Sequence, residues 1–180
     1  MLTTSLLPLT SGTTRLRPLA ETDAPAFAEG THDAAVRRYA HLPATSYTPA
    51  SVTEMIRDDA TPGLRRGDLA VLAIADTATD DFCGSLVIFD VTDADAEVGF
   101  WLHPDHRGSG RTAVALDLAC DLARRSGLSR LTARTVPDNA ASQRILDRAG
   151  FTPDGRVTEP APSGRPVELL RYRRTLDTPR

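Results

Sequence analysis

The chain has 180 residues, 24 acidic and 21 basic side chains and a net charge of -3, and every one of its basic residues is Arg. A chain without Lys has no Walker phosphate loop, no lysine Schiff base and no Ser-x-x-Lys hydrolase site. The acidic balance argues against nucleic acid as a partner, because that partner wants a clustered basic excess.

Residues 1–12 have neither a basic n-region nor a sustained apolar core, and read as a loose N-terminal lead-in rather than a signal peptide. TRLRPL (14–19) alternates like a short strand. Thr22 or Asp23 can cap a helix from Ala24 to Tyr39, with Gly30 weakening its middle. A loop with two prolines (40–50) follows, then Ser51 and Glu54 form a capping box for a helix to Asp59. LAVLAIA (69–75), FCGSLVIFDV (82–91) and EVGFWL (97–102) are strands close enough to form an antiparallel meander, with a bulge expected near Gly84.

The polar glycine loop HPDHRGSGRT leads into a helix from Arg111 to Arg125. Its wide apolar face, with Val114, Leu118 and Leu122 and again Leu116 and Cys120, should pack on a sheet. RLTARTV (130–136) is a strand and 137–150 a short helix capped by Asp138 or Asn139. FTPDGRV is a strand or turn, EPAPSGRP (159–166) a loop and VELLRYRRTL (167–176) a final strand. This order gives a mixed α/β fold with helices on a sheet, in one domain over 13–176 and a tail at 177–180. No apolar run approaches the ~20 residues that span a bilayer. Cys83 and Cys120 make neither a disulfide framework nor a zinc site, and read as reduced, buried thiols in a cytoplasmic protein. His103 and His106 lack a third partner for a metal, so none is expected.

Glycines between a strand and a helix let backbone N–H groups converge, and the helix dipole adds positive potential. A phosphorylated ligand suits such a loop, with Arg107 and Arg111 flanking it. Gly108, Gly110 and Ala113 satisfy the dinucleotide pattern G-x-G-x-x-A. However, five residues separate the strand from the first Gly, and a meander is the wrong prelude to a βαβ unit. A second phosphate-binding reading comes with a family resemblance.

At this loop the chain resembles the GNAT superfamily of CoA-dependent N-acetyltransferases, whose pattern is Arg/Gln-x-x-Gly-x-Gly/Ala. Arg107 opens it and Gly110 fills its first glycine; Thr112 stands where Gly or Ala is usual. RLRPLAETDAPAF (15–27), EVGFWLHPDHRGSGRT (97–112) and VPDNAASQRILDRAGF (136–151) resemble the branch that acetylates ribosomal-protein N-termini. The resemblance implies a mixed, mostly antiparallel sheet of six to seven strands with about four helices. It also implies acetyl-CoA as donor, CoA as product, direct transfer to a primary amine, and a family that often forms homodimers.

Carried over residue by residue, the resemblance makes Glu97 the acceptor of the ammonium proton. Asn139 would bond the pantetheine arm or the acceptor, and Ser142 would protonate the departing sulfur; Tyr172 is the alternative acid. The backbone of Phe100, Trp101 and Leu102 would pair with the pantetheine amides, and Arg107, Gly108, Ser109, Gly110, Arg111 and Thr112 would hold the pyrophosphate. Asn139 and Ser142 also fit an ordinary helix cap. Tyr39, His41 and Tyr47 are candidate acceptor contacts, and the acids from Asp76 to Glu97 would favour a cationic amine if they face the cleft. A non-catalytic acyl-CoA-binding module and an enzyme with a longer acyl donor are the rival readings.

Overall fold

The structure is a computed structural model that describes residues 1–160 and 166–176. Strands β1 (Leu9–Ser11), β2 (Thr14–Pro18), β3 (Ala70–Asp76), β4 (Phe82–Phe89), β5 (Asp95–Leu102), β6 (Arg130–Thr135), β7 (Thr152–Pro160) and β8 (Pro166–Thr175) form one sheet. Their order is β1-β2-β3-β4-β5-β6-β8-β7. β5 and β6 are parallel and every other neighbouring pair is antiparallel. Eight strands exceed the expected six to seven, because β1 lies in the stretch read as a lead-in.

That stretch is not loose. Leu2 is buried and its N–H donates to the Gly67 carbonyl at 2.9 Å, while β1 pairs with β2. Leu2 joins the main apolar core, which ties the segment down despite its lack of periodicity.

The two faces of the sheet carry different layers. One is covered by α5 (Arg111–Arg125), with α6 (Ala140–Arg148) packed beside it. Leu116 and Leu122 are fully buried there with Leu86, Ile88 and Leu131. Each such leucine contributes roughly 1.5–3 kcal/mol by leaving water. The other face carries α1 (Ala24–Gly30), α2 (Ala34–Tyr39) and α3 (Pro49–Met55) over an aromatic cluster. Phe27 is central: its ring lies 5.1 Å from Trp101, 5.6 Å from Tyr47 and 5.8 Å from Phe82.

The single helix expected over 24–39 is two helices. Asp33 caps the second, its Oδ1 accepting from the N–H groups of Ala35 and Val36 at 3.0 Å each. Gly30 ends the first where space is short: a Cβ there would sit 2.7 Å from the Trp101 ring. The next helix starts earlier than expected. Thr48 is its cap and Ser51 the reciprocal partner, so Ser51 belongs to the first turn. A π turn over Ile56–Ala60 then joins α3 to α4 (Thr61–Arg66). Pro62 has no N–H to donate, and the widened turn before it keeps the helix continuous through a residue that normally breaks one.

The bulge near Gly84 is present. Ile74 pairs with Gly84 and Ala75 with Phe82, leaving Cys83 as the extra residue. Gly84 itself is required by close approach, since a Cβ would lie 2.4 Å from the Trp101 carbonyl oxygen.

The parallel pair shapes the site. β5 and β6 pair through Asp95↔Arg130, Ala96↔Leu131 and Glu97↔Thr132, and there the ladder stops. Both strands continue, β5 to Leu102 and β6 to Thr135, so they diverge and open a wedge. Past Glu97, the β6-side edge of β5 has no strand partner among the described residues.

Candidate active site

Three elements converge on the wedge: the loop into α5, the start of α6 and the strands that part. The loop holds its shape through glycine. Gly108 and Gly110 have φ values of +77° and +76°, a region costly for any residue with a Cβ, and the space in front of both is open. Gly110 caps α5 without a side-chain bond. No backbone N–H from Gly108 through Ala113 has a protein acceptor among the described residues. Unpaired donors at the positive end of a 15-residue helix suit an anion. Ser109 braces the turn, its Oγ donating to the His106 carbonyl at 2.8 Å, and the Thr112 side chain is buried.

The two flanking arginines are already engaged. Arg107 makes a forked pair with Asp33, Nη2 donating to Oδ1 at 2.5 Å. That guanidinium and the α2 amides hold the Asp33 carboxyl below its usual range. Arg111 donates to Asp76 Oδ2 at 2.5 Å and to the Thr13 carbonyl, with its side chain 14% exposed. Arg111 therefore anchors the base of α5 to the β1–β2 turn and the end of β3 instead of reaching into the loop. Arg107 is partly exposed at the loop's mouth.

Asn139 and Ser142 form the cap of α6. Asn139 Oδ1 accepts from the Ser142 N–H at 3.2 Å, and its Nδ2 donates to Ser142 Oγ at 2.9 Å. The second bond matters chemically. A hydroxyl that accepts from Asn139 has its own proton left to give elsewhere. Tyr172 is buried on β8 with its hydroxyl pushed up by burial.

Glu97, Gly99 and Trp101 alternate on the aromatic-cluster face of β5, while Val98, Phe100 and Leu102 turn toward the α5 core. The Glu97 carboxylate is 15% exposed and accepts from Arg134 Nε at 2.7 Å. Burial pushes it above its ordinary value, against the pull of that guanidinium. Trp101 is a core wall.

The acceptor candidates separate. Tyr47 is 6% exposed, stacked edge-on against Phe27, with its oxygen accepting from the Ala44 N–H at 3.3 Å. It is a core aromatic, since its apolar body completes the cluster under α1 and α3. Tyr39 sits under Arg38, whose guanidinium lies 5.1 Å from the ring and also pairs with Asp138 beside Asn139. His41 takes a left-handed backbone (φ +48°), and its imidazole is held below its ordinary range by desolvation and then by the Arg134 cation. Tyr39 and His41 are thus brought beside the site, and Tyr47 is not. The Pro-rich loop expected to face them lies mostly at 161–165, outside the described residues.

The acidic meander is partly neutralised. Asp76 pairs with Arg111, Asp80 with Arg15 and Arg17, and Asp95 with Arg130. These acids staple strands and loops, and Glu97, paired with Arg134, lies at the wedge. Sequence reasoning missed Arg134, Glu159 and Asp33. Asp33 could have been read as a cap after Gly30; Arg134 needed the β5–β6 pairing to gain meaning. Among the described residues no cluster of three His, Cys, Asp or Glu could hold a metal, and no helix is long and apolar enough to cross a membrane. Burial pushes the Cys120 thiol up to about 12 and raises that of Cys83. A groove of about 660 Å³ runs between α5 and the end of β8, away from the wedge. It is walled by charges already paired, such as Arg174 with Asp117 at 2.7 Å.

Residues 14–152 match the family model described as the acetyltransferase (GNAT) domain. No curated protein matches the sequence. Among solved structures, RimL, a ribosomal alpha-N-protein acetyltransferase in complex with coenzyme A, superposes with a TM-score of 0.82 at 22% identity, covering 95% of this chain and 98% of that one. Mycobacterium smegmatis RimJ in complex with CoA-disulfide gives 0.79 at 23% identity, covering 91% and 82%. The Vibrio fischeri ribosomal-protein-S5-alanine acetyltransferase gives 0.80 at 17% identity, covering 95% and 97%. These likenesses show the fold, and with the family model spanning most of the chain they lead to one conclusion: the protein belongs to the GNAT acetyltransferases.

Proposed function

We propose that this protein moves an acetyl group from acetyl-CoA to a primary amine, either a peptide N-terminus or a small amino compound, by direct transfer in a ternary complex. The observation that carries the reading is the run of unpaired amides from Gly108 to Ala113, set beside the wedge between β5 and β6. The amides suit a pyrophosphate. The free edge of β5 from Val98 to Leu102 suits the amides of a pantetheine arm, strand to strand.

In the reaction, Glu97 takes a proton from the acceptor ammonium, directly or through water. The amine lone pair forms the C–N bond at the thioester carbon, and the C–S bond breaks. Ser142 Oγ gives its proton to the departing thiolate, with Asn139 keeping that proton turned outward, and regains one, directly or through water, from the nitrogen of the new amide. Both reactants are held together, so no covalent acyl-enzyme is needed. Tyr39 and His41 border the acceptor side. The ribosomal-protein N-terminal acetyltransferases among the structural neighbours make N-terminal peptides the first acceptors to try.

The test is thiol release from acetyl-CoA across a panel of amines and N-terminal peptides, with longer acyl-CoA donors alongside. Turnover with acetyl-CoA and one class of amine supports the reading. Tight CoA binding with no thiol release from any acyl donor or amine would leave a binding module instead.

A further inference from the structure

Three strands deliver one charged side chain each to the point where β5 and β6 part: Glu97, Arg134 and Glu159. Arg134 Nε donates to Glu97 Oε1 at 2.7 Å, and its Nη1 donates to Glu159 Oε2. Glu97 is the inner carboxylate, at 15% exposure, and Glu159 the outer, at 42%. The rigid guanidinium fork can hold two carboxylates at once from different edges. Glu97 Oε2 is left with no protein donor among the described residues.

We infer that Arg134 and Glu159 are positioning residues for the transfer: the guanidinium fixes one oxygen of Glu97 so that the other faces the acceptor ammonium, and Glu159 shares that guanidinium so that Glu97 stays basic enough to take the proton. This rests on the reading of Glu97 as the base. A carboxylate monopolised by one close guanidinium is a poor base, since such a pair lowers the carboxyl pKa by about 1–3 units. Dividing the cation between two carboxylates limits that effect. The division also protects the site after proton transfer. When Glu97 becomes neutral its hold on Arg134 weakens, and Glu159 keeps the half-buried cation paired. With two carboxylates and one guanidinium, the cluster carries one negative charge in excess, which suits a cationic acceptor.

The other charged groups around Glu97 act consistently. Asp90, in the turn before β5, and Glu159 both push its carboxyl upward, and Arg134 pulls it down. His41, in the loop after α2, is held toward its neutral form and adds little charge.

The chain has six glutamates, so carboxyl-carbon NMR on glutamate-labelled protein can follow Glu97 directly, with Glu97→Gln giving the assignment. In the free protein, Arg134→Gln should raise the Glu97 midpoint by about one pH unit and Glu159→Gln should lower it, the opposite shifts expected for losing a cation and losing an anion. The acidic limb of kcat/KM, measured by thiol release from acetyl-CoA, should move the same way in both variants, and Arg134→Lys should restore part of the first shift. Glu159 is half-exposed, so its variant folds independently of the Arg134 result. A Glu97 midpoint unmoved by both variants overturns the proposal. So does a midpoint that moves while the kinetic limb stays. If Glu97→Gln itself keeps the limb, the base reading falls first and this proposal with it.

Discussion

Asn139 has two jobs that one substitution can separate. Its Oδ1 caps α6 by accepting from the Ser142 N–H, and its Nδ2 donates to Ser142 Oγ at 2.9 Å. Asn139→Ala removes both and should cost about 1 kcal/mol, or about 2–4 °C in Tm for a chain of this size. Asn139→Asp keeps the cap, because a carboxylate still accepts from the N–H and suits the positive end of a helix. It cannot donate to Ser142. The Ser142 hydroxyl would then give its proton to residue 139 and withhold it from the departing sulfur. Stability should therefore match or slightly exceed the parent. The kcat should fall by about a hundredfold, roughly 2.7 kcal/mol of transition-state stabilisation, while KM for acetyl-CoA barely moves. Paired melting curves and steady-state thiol-release assays decide it. Full kcat in a stable Asn139→Asp enzyme would refute the argument and reduce N-x-x-S to a helix cap.

Three further outcomes follow from the geometry. Gly110→Glu puts a Cβ at φ +76° and a negative charge before the unpaired amides, so calorimetry should find CoA binding lost; unchanged affinity would remove the pyrophosphate assignment. Gly84→Ala forces a Cβ to 2.4 Å from the Trp101 carbonyl oxygen, where neither backbone can yield easily, and should destabilise by roughly 1–3 kcal/mol in urea unfolding. Asp33 and Asp76 titrate below the ordinary 3.8, Asp33 chiefly through Arg107, Asp76 chiefly through the Ala78 N–H and then Arg111. Their folded values lie below their unfolded ones, so their stabilisation is present above about pH 4 and is lost as pH falls through the folded values. Urea midpoints should drop in that window, and Asp33→Asn should flatten part of the fall; an unchanged slope would mean the Arg107 pair adds nothing.

Much of this protein was legible in residue order. The Lys-free composition left only Arg and backbone amides to hold phosphate, and the apolar runs at 69–75 and 82–91 announced central strands because buried strands need no alternation. The helix Arg111–Arg125 was bounded by its own signals, the glycine loop before it and Gly127 after it. Glu97, Asn139 and Ser142 stood out as candidates through the family resemblance of their stretches, because spacing alone reads the last two as a helix cap.

Tertiary structure decided the rest. Leu2 and β1 carry no periodic signal, and they gain order only from the groove and the strand that receive them. Nothing local tells Tyr39 from Tyr47; burial against Phe27 makes one a core residue and leaves the other near the site. Arg111 reads as a phosphate ligand until the fold brings Asp76 within 2.5 Å. The partners of Glu97 come from positions 37 and 62 residues further along the chain. A charge pair set by strand order is invisible until β5 and β6 are placed side by side and then part.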